Sequence, residues 1–235
     1  MVRTRDVIHV DLLLGNHGND HRDFKLAGKI DAQRSTCEVF QPDGTRLDLR
    51  PNLVDLGYAP QEGFWSARFV PAQAGLYVLG HTSDKVASYG PVRSIKGAKA
   101  FFVASDSLDK VTPNLAGFDR PLGHALELVP LVSPVAPMGP GTPIRVRLLY
   151  QGKPHADARV SFIPRGHTLS ESFDTTYERK TDPRGEASFE PTLGTYYLVV
   201  AHHEEPQQRG EGYDRTKYSA TLCVYVPQIC PCCNE

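Results

Sequence analysis

The sequence predicts an all-β chain folded as two tandem β-sandwich domains. Helical periodicity is nearly absent, and short apolar or alternating segments recur along the 235 residues instead, which is the pattern of strands. The 19 prolines and 20 glycines are spread along the chain, where such residues form the turns between short strands. The length suits two sandwiches of about 100 residues each.

Twelve segments have the apolar or alternating composition of a strand. Turn sequences lie between several of them, as at residues 42–44 (Pro-Asp-Gly) and 182–185 (Asp-Pro-Arg-Gly), because proline and glycine suit the backbone angles of turns. We therefore expect strands at residues 7–14, 24–30, 36–40, 63–70, 75–81, 98–104, 125–131, 144–150, 158–163, 186–189, 195–202 and 218–226.

The composition also predicts where the domains divide. Residues 106–122 are rich in Pro, Gly, Asn and Asp, so we place the boundary near residue 120. Residues 133–142 are a second proline-rich stretch, which we interpret as a loop inside the second domain. The predicted organisation is an N-terminal β-sandwich at 1–120, a C-terminal sandwich at 121–228 and a Cys-rich tail at 229–235.

The second domain has the clearer pattern. Apolar residues alternate with others in 144–150 and 218–226, so one face of each strand should point into a core. We expect about seven strands between residues 144 and 226, the usual number in such sandwiches. The side chains predicted to be buried there are Val146, Leu148, Val160, Phe162, Tyr197, Val199, Leu222 and Val224.

Two resemblances refine this interpretation. Residues 152–154 (G-K-P), 158–162 (A-R-V-S-F), 181–189 (T-D-P-R-G-E-A-S-F) and 194–200 (G-T-Y-Y-L-V-V) resemble the prealbumin-like or carboxypeptidase-regulatory-like sandwich. That likeness implies an immunoglobulin/transthyretin-like second domain.

The second resemblance covers most of the chain. Its segments are residues 14–17 (L-G-N-H) with His21-Arg22, residues 75–78 (G-L-Y-V), 121–130 (P-L-G-H-A-L-E-L-V-P) and 218–222 (Y-S-A-T-L). Together they resemble the domain-of-unknown-function family often labelled as the periplasmic component of a nickel/cobalt transport system. The resemblance implies export to the periplasm or cell exterior, and nickel or cobalt as a ligand.

Charge and hydropathy exclude some classes of partner and location. The formal net charge of −1 creates no overall field for nucleic acid, and no apolar run reaches the roughly 20 residues that span a bilayer. The apolar stretch 7–14 contains His9 and Asp11, so it does not fit a signal peptide. We expect a periplasmic or extracellular protein whose leader is absent from this sequence, or else a cytoplasmic one.

Histidines are the candidate metal ligands. Residues 16–23 (N-H-G-N-D-H-R-D) place two histidines beside carboxylates, a donor set that suits divalent nickel, cobalt, zinc or copper. Other histidines end predicted strands or lie in loops, and strand ends gather at the rims of a sandwich. The alternative is a set of ordinary polar-loop and surface histidines. The candidate ligands are His17, Asp20, His21, His81, His124, His202 and His203.

The sequence lacks the common catalytic motifs, and residues 202–205 (H-H-E-E) lack the spacing of H-E-x-x-H. We therefore expect a non-catalytic binding protein of the cell envelope, with a divalent transition metal as the candidate ligand. One alternative is an extracellular structural or adhesion module that assembles with its own copies, or with an envelope partner, through edge strands and the tail. A hydrolase with a metal site is a third.

The tail contains three cysteines within its last six residues: Cys230, Cys232 and Cys233. Adjacent cysteines bridge each other only with strain, so we predict that the tail forms disulfides with another chain or with a cysteine elsewhere in this one; a shared metal site and an inert tail are the alternatives. Pro227 should end the last strand, which leaves the tail outside the core. Deleting residues 230–235 should leave the thermal midpoint nearly unchanged and abolish any reductant-sensitive oligomer on non-reducing electrophoresis. Finding only monomer, with three freely reactive tail thiols, would contradict this prediction.

Overall fold

The computed structural model describes residues 1–15, 30–31, 34–57, 63–87, 90–110 and 115–228. Within these ranges the chain is all-β, with a short 3-10 helix at Arg50–Asn52. The strands are β1 (Val2–Arg3), β2 (Ile8–Leu12), β3 (Ser35–Phe40), β4 (Arg46–Asp48), β5 (Leu53–Asp55), β6 (Trp65–Phe69), β7 (Gly75–Val86), β8 (Val92–Ser105), β9 (Leu126–Pro130), β10 (Ile144–Tyr150), β11 (Lys153–Pro154), β12 (Arg159–Pro164), β13 (Glu178–Lys180), β14 (Glu186–Phe189), β15 (Tyr196–Glu205) and β16 (Arg215–Tyr225).

Eleven of the twelve predicted strands overlap an observed one. The other, at residues 24–30, lies outside the described residues except for Ile30. The structure adds β1, β4, β5, β11 and β13, each of two or three residues, which is too short to produce a visible alternation. The region from residue 144 to 226 contains seven strands, β10 to β16, as predicted.

One large sheet, which we call the central sheet, crosses both halves of the chain. Its strand order is β13-β12-β15-β16-β8-β7-β3-β4, and β1 pairs with β8 beside this path. The halves meet where β16 pairs with β8 in parallel, from Arg215 opposite Val92 to Cys223 opposite Ala100. Backbone hydrogen bonds thus join strands from both sides of residue 120, and the domain boundary there stays a prediction.

Two smaller sheets cover opposite faces of the central sheet. The N-terminal cover sheet has the order β2-β6-β5, and the C-terminal cover sheet contains β9, β10, β11 and β14. Successive residues of a strand point to opposite faces. In β8, Phe102 and Ala104 join the core under the N-terminal cover sheet, whereas Ile95 and Phe101 pack against the core under the C-terminal one. The two sandwiches therefore share one sheet and use its two faces.

The core of the C-terminal sandwich confirms the predicted strand register. All eight side chains predicted to be buried are at most 1% exposed. A shift of one residue would have turned each set toward solvent, because the side-chain period of a strand is two. The alternation in the sequence was therefore sufficient to assign the inward faces of β10, β12, β15 and β16.

A buried ion pair joins β8 to the start of the C-terminal sandwich. The Lys99 ammonium contacts the Glu127 carboxylate, and both side chains are 2% exposed. The carboxylate also accepts backbone N–H hydrogen bonds from Leu122 (2.5 Å), Gly123 (2.9 Å) and His124 (3.1 Å). Burial by itself would raise the pKa of Glu127, but Lys99 and the Leu122 N–H outweigh it and lower that pKa. We call this group the Glu127 hub.

Two glycines let the chain approach the central sheet closely at the hub. A Cβ atom at Gly97 would lie 2.8 Å from His124 Nδ1, and one at Gly80 would lie 3.0 Å from Leu122 Cδ1. Any side chain at Gly97 would therefore displace the segment that supplies the N–H groups of the hub. Segment 121–130 therefore has a structural role: the backbone N–H groups at its start bind the carboxylate of its own Glu127.

We predict that Glu127→Gln lowers the free energy of unfolding by about 3–5 kcal/mol, because it leaves the buried Lys99 charge uncompensated. Adding Lys99→Met should recover part of that loss, since the orphan charge is then removed. Lys180→Ala breaks a pair with Asp157 in which both side chains are exposed, and should cost about 1 kcal/mol or less. Urea denaturation measures all three. A Glu127→Gln variant as stable as Lys180→Ala would contradict a structural role for the hub.

Candidate functional site

The open face of the central sheet carries a trough beside the N-terminal cover sheet. It consists of two adjoining cavities of about 380 and 470 Å³. Both cavities are lined by Leu12 and Leu13 at the end of β2 and by Leu198 of β15. We call this feature the open-face trough. Its size falls in the range of small-ligand sites.

Among the described residues, the N-terminal cover sheet spans only part of this face, and the trough lies beside it. His81 of β7, Ala98 of β8 and Thr221 of β16 lie directly opposite one another on neighbouring strands, and all three line both cavities. Ala98 has the smallest side chain of the three, so the middle of the floor is low. The result is a largely apolar floor with an imidazole at its edge.

His81 is held in one orientation at the edge of the trough. Its Nδ1 lies 2.5 Å from the carbonyl oxygen of Thr36, and a carbonyl only accepts hydrogen bonds, so Nδ1 carries the proton. Burial lowers the pKa of His81, against the opposing effect of the Thr36 carbonyl. The ring is therefore neutral at neutral pH, and its Nε2 has a lone pair available for a ligand or a hydrogen-bond donor.

His202 also lines the trough but lies far from His81. His202 is opposite Ser219 of β16, whose partner on β8 is Lys96. Three strand spacings separate β15 from β7, which is roughly 14 Å. That separation is too large for both histidines to bind one metal ion.

His124 and His203 lie away from the trough. His124 packs on Gly97 in the Glu127 hub, where burial lowers its pKa to about 4, so it is neutral at physiological pH. His203 faces the other side of β15 from His202 and contacts Tyr150 and His155. His155 was not among the sequence candidates, because nothing near it in the sequence indicates that it meets His203.

The remaining candidates lie outside the described residues: His17, Asp20, His21, Cys230, Cys232 and Cys233. Among the residues that are described, no three His, Cys, Asp or Glu side chains are arranged to hold a metal ion. The same part of the chain has no helix with the length and apolar character of a membrane span.

A serine, a histidine and an aspartate also meet on the N-terminal cover sheet. Ser66 Oγ donates a hydrogen bond to Asp11 at 2.7 Å, and His9 Nδ1 lies 3.3 Å from Ser66 Oγ. In a catalytic triad the carboxylate orients the histidine, which takes the serine proton. Here the Ser66 hydroxyl donates its hydrogen bond to Asp11 instead of to His9. His9 is therefore not placed to act as the base.

The two described cysteines line the trough, and both thiols are expected to react slowly. Cys37 and Cys223 are free thiols. Burial raises the pKa of Cys37 to about 11, and burial also raises the pKa of Cys223. They lie on β3 and β16, three strands apart in the central sheet, which is too far for a disulfide between them.

A family model described as "Domain of unknown function (DUF4198)" matches residues 1–205. No curated protein matches the chain. Among solved structures, the D0-D1 domain of intimin is 11% identical, with 96% of this chain and 94% of that chain covered and a TM-score of 0.22. The D00-D0 domain of intimin is 10% identical, with 95% and 93% covered and a TM-score of 0.21. Similarity at this level carries no argument about function.

We predict that Cys37 and Cys223 resist modification in the folded protein at pH 8. With a pKa near 11, about one Cys37 thiol in a thousand is ionised at that pH, and the thiolate is the reactive form. A variant lacking residues 230–235 isolates these two thiols for a colorimetric thiol assay, with the protein in denaturant as the control. Complete reaction of the native variant at the denatured rate would refute the burial of Cys37 and the partial burial of Cys223.

Proposed function

Because the chain belongs to the DUF4198 family of domains of unknown function, we propose its role from its own residues: a non-catalytic protein that binds a divalent transition metal at the open-face trough. The orientation of His81 carries the proposal. Histidines that bind metals commonly donate their second ring N–H to a backbone carbonyl, which fixes the tautomer and aims the other nitrogen. His81 makes that hydrogen bond to Thr36 at the edge of a cavity.

The path of the chain supports the same site. Gly15 and Ile30 both line the trough, and they precede and follow the segment that contains His17, Asp20 and His21. The chain thus leaves the trough just before these candidate ligands and returns to it after them. A site with a typical set of three or four donors needs ligands from that segment, because the described residues contain no group of three His, Cys, Asp or Glu side chains placed to hold a metal ion.

Cell-envelope location belongs to the same proposal. It rests on the resemblance of residues 121–130 and their companion segments to a family described as exported. A binding protein of the periplasm or the cell exterior would meet metal ions from the surroundings before any cytoplasmic protein does. Nickel, cobalt, zinc and copper all suit imidazole and carboxylate donors.

Self-assembly is a second candidate function, favoured by one surface feature. Tyr196 and Tyr225 contact each other across β15 and β16, with ring centroids 4.8 Å apart and planes tilted by 45°, and both are exposed, as is Leu193. Gln228, the last described residue before the Cys-rich tail, lies against Gly194 beside them. A disulfide formed by the tail would hold this apolar patch near another chain, and the tail deletion described above tests that role.

Isothermal titration of the full chain with each metal tests the leading proposal. We expect stoichiometric binding of at least one of the four ions, its loss in His17→Ala/His21→Ala, and an affinity at least roughly tenfold weaker in His81→Ala, as for removal of a group that supports the metal. His167→Ala is the matched control, since His167 contacts Tyr177 in the C-terminal sandwich and lines neither cavity of the trough. Equal affinities in all four proteins would overturn the proposal.

The pH dependence gives a separate measurement. Metal binds neutral imidazole, so the affinity should fall as the pH drops through about 6.5, the unperturbed histidine value. Burial lowers the pKa of His81, so His81 stays neutral below that pH and the fall reports the other histidines. Binding that is flat between pH 5 and 7.5 would exclude them as ligands.

A further inference from the structure

The floor of the open-face trough changes from polar to apolar along the strands of the central sheet. At one end, four side chains lie directly opposite one another on neighbouring strands and line one cavity: His202 of β15, Ser219 of β16, Lys96 of β8 and Ser83 of β7. We call this set the donor row, because each member can donate a hydrogen bond and none is a carboxylate. An acidic group is the partner that such a row fits.

Four residues further along each strand, the floor is apolar. The corresponding row there lines the other cavity and consists of Leu198, Cys223, Ala100 and Leu79. We call it the apolar row. Four residues of a strand span roughly 13 Å, which is about the length of an extended medium-chain fatty acid. Leu12 and Leu13 line both cavities, so they can cover a hydrocarbon that lies along the floor.

The floor is accessible, although the same strands are fully buried on their other face. Ser219 and Thr221 of β16 are half-buried. The residues that alternate with them, Tyr218, Ala220 and Leu222, are at most 3% exposed. Apolar surface that is in contact with water gains free energy when a ligand hydrocarbon covers it. The trough therefore favours a ligand that has an apolar part.

The charge around the donor row is positive. The cationic side chains that line its cavity are Arg34, Lys85 and Lys96. Asp31 and Asp84 line it too, but each is paired with an arginine, Asp31 with Arg34 and Asp84 with Arg93. Among the described residues, positive side chains thus outnumber carboxylates at this end of the trough, which favours an anionic ligand there.

The donor row has the capacity to bind an anion. An ammonium has three N–H donors, so Lys96 can bind a ligand oxygen in addition to a partner within the protein. Beyond the effect of burial, the positive charge of Lys96 lowers the pKa of His81, so its field reaches along the floor. The row continues to Ser35 of β3, opposite Ser83, where the Ser35 hydroxyl is buried and has no hydrogen-bond partner in the described part of the chain.

We propose that the open-face trough binds a small amphipathic organic anion, a medium-chain carboxylate, with its acidic group at the donor row and its hydrocarbon toward the apolar row. One ammonium flanked by two hydroxyls matches a singly charged carboxylate: Lys96 neutralises it, and Ser83 and Ser219 donate hydrogen bonds to its oxygens. This site goes beyond the metal proposal and does not depend on it, because the interaction needs no metal ion.

Isothermal titration of the full chain in buffer that contains a metal chelator tests this site separately from the metal proposal. Decanoate should bind in a saturable one-to-one manner. Acetate lacks the hydrocarbon and decylammonium has the opposite charge, so both should bind at least roughly tenfold more weakly than decanoate.

Two lysine variants locate the acidic group. Lys96→Met keeps the apolar stem but removes the charge, and it should weaken decanoate binding at least roughly tenfold because a charge-assisted hydrogen bond is lost. Lys180→Met is the matched control, since Lys180 pairs with exposed Asp157 in the C-terminal sandwich and lines neither cavity. It should bind decanoate as the wild type does.

A further variant and a measurement on the wild type keep the proposal falsifiable if Lys96→Met folds poorly. Ala98→Phe fills the middle of the floor and should abolish decanoate binding, with circular dichroism unchanged. In nuclear magnetic resonance spectra of the wild type, decanoate should shift the backbone amides of residues 96–100 and 219–223 and leave those of residues 144–150 unchanged.

Four results would overturn the site. They are the absence of saturable decanoate binding, decylammonium binding as tight as that of decanoate, equal affinities for decanoate in well-folded Lys96→Met and Lys180→Met, and undiminished binding in well-folded Ala98→Phe. Amide shifts confined to residues outside the trough would do the same.

Discussion

The buried pair between Lys99 and Glu127 is the contact on which the rest of the architecture depends. Both groups are almost wholly removed from water, and each is tolerable there only because the other is present. Lys99 belongs to β8, in the middle of the central sheet, and Glu127 belongs to β9 of the C-terminal cover sheet. The pair therefore fixes where β9, the first strand of the second sandwich, packs against the central sheet that both halves share.

The shared sheet gives the molecule two working faces. β15 alternates between them, so His202 lines the open-face trough while His203, one residue later, contacts Tyr150 on the other face. The strand needs no kink or bulge to supply both sites, because neighbouring side chains of a strand point in opposite directions. Chemistry on the two faces is separated by the thickness of one sheet.

The histidines on the two faces of the central sheet differ in their immediate partners. His81 is held as a neutral ring by burial and by one backbone carbonyl, an arrangement suited to donating a lone pair to a ligand. His155 and His203 pack edge-on against each other, and His203 is hydrogen-bonded to Glu205. The same residue type thus takes two roles, and its immediate partners decide which.

The sequence by itself determined the strands and their inward faces. Alternation at period two is a local property, so it was enough to assign Val146, Leu148, Val160 and Phe162 to the core. It also drew attention to residues 121–130, although it could not tell that Glu127 binds the backbone N–H groups just before it. Only the tertiary structure decided the parallel pairing of β16 with β8, the partner of Lys99 and the meeting of His155 with His203. Each of these joins residues far apart in the chain, and the order of strands in a sheet leaves no periodic trace in the sequence.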